Sequence, residues 1–101
     1  MLIKINAIVR EEKFEDVKEA LNKIGVNGIT VVRGTKVDML MRPKIKFEIV
    51  VSSEEWERKT IEAIQKAAFT GEVGDGKIFS YEVRNVVKIR TGERDVDALQ
   101  D

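Results

Sequence analysis

Residues 43–69 read PKIKFEIVVSSEEWERKTIEAIQKAAF. From Lys44 to Val51 the apolar side chains Ile45, Phe47, Ile49 and Val51 alternate with Lys46, Glu48 and Val50. A period of two belongs to a strand with one buried face, and Pro43, which has no N–H to donate, is tolerated at its start. The period then changes. Trp56, Thr60, Ala63, Ile64, Ala67 and Ala68 recur at helical spacing up to about Phe69, which predicts a helix with one inward stripe. Ser52 with Glu55 three residues on has the spacing of a capping box, and Gly71 is the expected stop.

Working outward, the N-terminal side repeats this unit. Ile3, Ile5, Ala7 and Val9 alternate with Lys4 and Asn6, giving a strand over residues 2–9. In EEKFEDVKEALNKIG, Phe14, Val17, Ala20, Leu21 and Ile24 form a helical stripe. Glu11 and Glu12 suit the positive N-terminal end, and Gly25 is the stop. Gly28 to Arg33, GITVVR, is rich in β-branched residues and predicts a second strand. Beyond the middle unit, KIFSYEV at 77–83 predicts a strand and VVKIR at 86–90 a small extra one. The polar tail TGERDVDALQD is expected to be frayed or docked on a neighbour.

The order β-α-β-β-α-β is the ferredoxin-like split βαβ. The expected fold is therefore α+β, a βαββαβ sandwich of one antiparallel sheet with two helices on one face, forming a single domain over residues 1–101. The other sheet face carries Lys4, Asn6, Ile8, Lys46, Glu48 and Val50, a mixture that self-association or solvent can cover.

Composition excludes several functions. The chain has 101 residues, enough for one core, with 43% hydrophobic and 36% charged residues. Its 18 basic and 18 acidic residues balance, which leaves no bulk field for nucleic acid or an anionic membrane. No apolar run approaches the roughly 20 residues that span a bilayer. The N-terminal segment alternates and lacks a signal-peptide pattern, so a cytoplasmic protein is expected. Absence of Cys and His removes thiolate and imidazole chemistry and makes zinc improbable. Heavy use of Lys, Glu and Arg without Cys points toward a thermophile. The composition favours a chain without catalysis.

Residues 71–77, GEVGDGK, match the first seven positions of a Walker A loop. The eighth is Ile78, so the Mg²⁺-binding hydroxyl is missing, and the loop follows a helix and precedes a strand, the reverse of a P-loop. Its glycines can still turn successive amides toward an anion, with the Lys77 charge beside them. The alternative is a helix cap and turn with Lys77 in solvent. Lys88 and Arg90, two apart on an expected strand, project from one face toward phosphates or simply into water. Lys44 and Lys46 read first as solvent-side alternation.

The run Thr70-Gly71-Glu72-Val73-Gly74-Asp75-Gly76-Lys77-Ile78-Phe79 closely resembles a signature of the PII signal-transduction family, which regulates nitrogen metabolism. So do Ile89-Arg90-Thr91-Gly92-Glu93, the first strand Ile5 to Arg10, the helix segment Asp16 to Leu21, Ile24-Gly25 with Gly28 to Val31, Val37 to Leu40, and Pro43 to Val51. The resemblance implies a homotrimer of ferredoxin-like subunits with ATP or ADP as ligand in the clefts between them; no metal site is expected in this chain. It implies that Thr30 and Val50 lie near the adenine with Glu48 close by. It implies that Gly74, Asp75, Gly76 and Lys77 hold phosphates, and that Lys88 and Arg90 reach them from the adjacent subunit.

Three departures qualify the resemblance. The family has a long loop between its second and third strands that docks on ammonium channels and enzymes, carries a modified Tyr and supplies a Gln for Mg²⁺ and 2-oxoglutarate. Here only VRGTKVDMLMRPKIKFEIV lies between Val31 and Val51, no residue matches the Gln, and Tyr81 is on another strand. Loss of channel docking, tyrosine modification and 2-oxoglutarate sensing is therefore expected. Lys88 stands where Arg is usual, which removes a bidentate fork. Glu11 stands where Pro is common. The reading is thus a nucleotide-binding trimer with an unknown protein target, the alternative a PII-fold scaffold or loop-deleted variant without effective nucleotide sensing. A weak ATPase and a nucleic-acid binder fit the residues less well.

Overall fold

Alternation at the N-terminus becomes β1, Leu2–Arg10, in a computed structural model that describes residues 1–26, 28–37 and 42–99. A 3-10 turn, Glu11–Lys13, leads into α1, Phe14–Lys23. The α-helix so begins later than its acidic start suggested, because neither Arg10 nor Lys13 offers a side-chain cap. Its end follows the sequence: Gly25 takes φ 84°, Val26 N–H bonds the Leu21 carbonyl at 3.1 Å, and the helix closes in a Schellman turn.

β2 spans Thr30–Val37, β3 Pro43–Val51, α2 Glu54–Ala68 and β4 Gly76–Val83. The sheet order is β2-β3-β1-β4, with every neighbouring pair antiparallel. This is the expected ferredoxin-like α+β sandwich. Ile3, Ile5, Ala7 and Val9 of β1 and Ile45, Phe47, Ile49 and Val51 of β3 line the inner face. Val17 and Leu21 of α1 and Ile64 and Ala68 of α2 cover it. At one edge Phe14 stacks on Phe47 with centroids 5.7 Å apart, and the Arg33 guanidinium lies 4.0 Å above the Phe14 ring. The stack closes the core while keeping a charge in water.

Several expectations change. β2 starts at Thr30 rather than Gly28 and continues past Arg33, because a register shift between Arg33 and Lys36 absorbs extra residues, with Gly34 at φ 72°. Val37 then pairs with Pro43, so the strands are joined by a short connection, of which residues 38–41 lie outside the described residues. The cap of α2 is Ser53, not Ser52: its Oγ accepts from Trp56 N–H at 3.1 Å, and with Trp56 at the third position no capping box forms. The expected strand over 86–90 reduces to one bridge, Val87 with Arg94, around a turn from Lys88 to Glu93. Of the two expectations for the tail, fraying does not hold through Leu99. Asp95–Leu99 form a 3-10 turn, and Leu99 lines a shallow groove with Val26, Val50 and Trp56. Gln100 and Asp101 lie outside the described residues.

Thr60 is fully buried on α2 and its hydroxyl has no partner among the described residues. Thr60→Val should therefore raise stability by about 1 kcal/mol in urea unfolding, because it removes an unsatisfied polar group at nearly constant shape. Phe47→Ala should lower it by about 3–5 kcal/mol, since the cavity would open beneath both helices.

Candidate functional site

The glycine loop is built from the end of α2. Phe69 turns extended at φ −67° and ψ 130°, so the helix stops before Gly71. The following amides are taken by a side chain instead. The Asp75 carboxylate accepts from Thr70 N–H at 2.8 Å, from Gly71 N–H at 2.9 Å and from the Thr70 hydroxyl. Arg10 Nε adds an ion pair at 3.1 Å. The Thr70 hydroxyl, then its amide, and more weakly the Gly71 amide and Arg10, hold the Asp75 carboxyl well below the usual carboxylate range against some desolvation. Asp75 is thus the loop's internal tie rather than a free group facing a ligand.

Cations from two other strands meet the same loop. Arg10, only 9% exposed, donates Nη2–H to the Val73 carbonyl at 2.8 Å. Arg42 donates to the same carbonyl at 3.4 Å, and Lys44 Nζ donates to the Gly74 carbonyl. Two glycines follow from this packing. A Cβ at Gly74 would lie 3.2 Å from Arg10 Nη2 and overlap the Arg42 guanidinium, and one at Gly76 would strike the Ile8 carbonyl. Their positive φ, 103° and 105°, also favours glycine. The bonds that fix the loop use the amides of Thr70, Gly71 and Glu72 and the carbonyls of Val73 and Gly74. The amides of Val73 and Gly74 take part in none of them.

Register places more charge beside the loop. Cross-strand partners share a face, so the pairs Arg10–Lys44, Ile8–Lys46 and Ile8–Lys77 put Arg10, Lys44, Lys46 and Lys77 on the outer face, at the glycine-loop end. Arg42 stands just ahead of β3. In a chain of zero formal net charge this is a concentrated positive field. Farther along the face, Lys4 Nζ lies 2.7 Å from Glu48, and Lys46 Nζ 3.7 Å. The hydrogen bond from Lys4 pushes the Glu48 carboxyl down and the Lys4 ammonium up. Asn6 Nδ2 donates to the Tyr81 hydroxyl at 3.2 Å, while its Oδ1 is buried without a partner among the described residues.

Most of the nine candidate residues fall into two groups. Gly74, Asp75, Gly76 and Lys77 lie at the β4 edge. Thr30 pairs with Glu48 at the β2–β3 edge, and Val50 follows on the same face. Three strand spacings, about 14 Å, separate β2 from β4. Lys88 and Arg90 lie apart from both, on the segment after β4. Gly76 pairs with Val9 but Val83 with Leu2, so the segment carrying Lys88 leaves β4 at the end remote from the glycine loop. It continues to Leu99, whose carbonyl is 4.0 Å from a Cβ placed on Gly28 and whose side chain shares the groove with Val50. Lys88 and Arg90 do not project from a strand face as expected; they occupy a turn in which Lys88 Nζ lies 3.6 Å from Glu93.

Arg10, Arg42, Lys44 and Thr70 join the loop without having been singled out. Lys44, expected on the solvent side, is 5% exposed, because the loop folds over it. The Thr70–Asp75 spacing around a glycine turn is a signal the sequence offers for an Asp that caps its own backbone. The pairing of Arg10 with Lys44 has no local signature.

Comparison with known proteins places this geometry. The family model described as nitrogen regulatory protein P-II matches residues 2–93. Nitrogen regulatory protein P-II 1 of Methanothermobacter thermautotrophicus is 50% identical over 111 aligned positions, covering 95% of this chain and 96% of the relative. GlnK of Escherichia coli K12 is 36% identical, with 94% and 97% covered. The crystal structure of Arabidopsis thaliana PII bound to citrate superposes with a TM-score of 0.85 at 41% identity, covering 99% of this chain and 91% of that one.

The Asp75 tie makes a pH-dependent prediction. Because its folded carboxyl is depressed, its contribution is complete above the unfolded value near 4 and falls away as pH drops below it. Asp75→Asn should speed amide exchange at Thr70 and Gly71 at neutral pH. In the unaltered chain those amides should lose protection only in strong acid, and equal protection in both proteins at neutral pH would contradict the tie.

Proposed function

The chain belongs to the nitrogen regulatory protein P-II family, whose members are signalling proteins rather than enzymes, and on that premise we propose that it binds ATP or ADP in clefts between the subunits of a homotrimer. The observation that carries the reading is the separation of Thr30, on β2, from Gly76 and Lys77, on β4, the two outer strands of one sheet. In one chain Thr30 and the glycine loop are three strand spacings apart; a second copy offering its β2–β3 edge to the first copy's glycine loop would bring them together. That contact is head-to-tail, and a head-to-tail contact repeated by rotation gives a closed ring. The outer face suits burial in such a ring: Phe79 and Tyr81 are 50% and 48% exposed, and the orphaned Asn6 Oδ1 lies beside them.

In this arrangement Gly74, Gly76 and Lys77 meet the phosphates while Asp75 holds the loop. Thr30, Val50 and Glu48 of the neighbour approach the adenine, and its Lys88 and Arg90 approach the phosphates. The converging cations suit a multivalent anion, and the plant relative was solved with one, citrate. The 111 aligned positions exceed this chain's 101 residues, so at least ten positions of the first relative have no counterpart here. That supports a shortened loop between β2 and β3, with channel docking and 2-oxoglutarate sensing lost and the protein signalling in the cytoplasm through another surface.

A second reading, a P-II-fold scaffold without nucleotide sensing, draws on two observations. Packing against Arg10, Arg42 and Ile8 already explains Gly74 and Gly76, and Lys88 is ion-paired with Glu93.

Calorimetric titration with ATP and ADP separates the two readings, and the first expects saturable binding. Lys77→Ala should weaken it by about 1.5–3 kcal/mol, the worth of a charged hydrogen bond. No heat at millimolar nucleotide would favour the scaffold. Sedimentation equilibrium should give a trimer, and a monomer at micromolar concentration would remove the intersubunit site.

A further inference from the structure

We infer that Leu99 is a positioning residue of the proposed nucleotide site, because its seat beside Val50 and Trp56 fixes the arm that carries Lys88 and Arg90; the inference rests on the nucleotide reading above. The arm is the segment that leaves β4 after Val83 and runs to Leu99. The bonds that shape it join its own residues. Lys88 N–H donates to the Glu93 carbonyl and Gly92 N–H to the Lys88 carbonyl, both at 2.8 Å. Asp95 N–H reaches the Val86 carbonyl at 2.9 Å, and Arg94 reaches Asn85 Oδ1 at 3.3 Å. These contacts give the arm a form but no place on the body.

Its place comes from its two ends. One is covalent, the continuation of β4. The other is Leu99. Val87, Ile89 and Val96 are 48%, 99% and 54% exposed and contribute little anchorage. Leu99 is half-buried: it lines the groove with Gly25, Val26, Val50 and Trp56, and its carbonyl lies 4.0 Å from a Cβ placed on Gly28. The turn Asp95–Leu99 delivers it there. Asp95 takes φ 57°, a left-handed conformation that Asp tolerates better than most residues, and so redirects the chain just after the bridge of Val87 with Arg94. An arm held at both ends keeps its position; one held at β4 alone swings.

The groove ties this to binding. Val50 is one of its walls and a candidate for the adenine, while the arm carries the candidates Lys88 and Arg90 for the phosphates. In the proposed assembly one copy offers both sets, and Leu99 fixes their spacing. A loose arm would leave only a fraction of molecules competent and lower the apparent affinity by that fraction.

Trp56 is the chain's single tryptophan, so its quenching by acrylamide reports the groove directly. The test combines that measurement with calorimetric titration of ATP into the unaltered protein, Leu99→Ala, Leu99→Met, Lys88→Ala and the pair Leu99→Ala with Lys88→Ala, circular dichroism confirming the fold. Leu99→Ala should make Trp56 more readily quenched and weaken ATP binding by about three- to tenfold. Leu99→Met, which keeps the apolar volume, should stay within about twofold of the unaltered chain. Added to Lys88→Ala, Leu99→Ala should cost less than it does alone, a non-additivity that a general loss of stability would not produce. If the unaltered chain binds ATP and Leu99→Ala leaves the affinity unchanged, or weakens it equally with and without Lys88, the role of Leu99 is overturned while the nucleotide site stands. If the unaltered chain binds no ATP, the nucleotide reading fails and the positioning role with it.

Discussion

The Asp75 carboxylate gathers the Thr70 amide and hydroxyl, the Gly71 amide and the Arg10 guanidinium at one point. Through it the end of α2, the start of β4 and the end of β1 are fastened together. A short loop rich in glycine would otherwise sample many conformations, because glycine loses more freedom on ordering than any other residue. The tie offsets that cost with charge-assisted bonds, which are about twice as strong as neutral ones. Everything proposed for the loop depends on its shape being fixed before a ligand arrives.

The sheet imposes the second constraint. Because β1 and β3 occupy its centre, the segments richest in recognisable motif, the glycine loop and the β2–β3 edge, are held apart by the core itself. Their separation is a property of the split βαβ connection: each helix crossover places a strand between the two it joins. The proposed site, assembled from both edges, would draw on two chains, and the half-apolar outer face offers an area for their association. In the proposed trimer, fold and assembly would be coupled in this way.

Much of the fold was legible because its signals are local. Alternation in β1 and β3 and the stripes of α1 and α2 depend on neighbouring side chains alone, and they located all four elements to within a few residues. Where a local signal had a competitor the outcome changed. Ser53 took the cap from Ser52, and VVKIR, with strand-like composition, formed only the single bridge at Val87. Of the site, the Gly-Asp-Gly-Lys run was visible as a motif, but Asp75 reads as a ligand group by type and acts as a tie by position.

What the sequence determined by itself was the order of strands and helices, the inward face of each, the place of the glycine loop and its family, since periodicity and motif are written in adjacent residues. What the tertiary structure decided was the company the loop keeps. Arg10, Arg42 and Lys44 lie 30 or more residues from Gly74 along the chain, and only the register of β1 against β3 and β4 brings them to it. Register is set by the burial of whole faces rather than by any neighbouring pair, so contacts that depend on it have no local spelling.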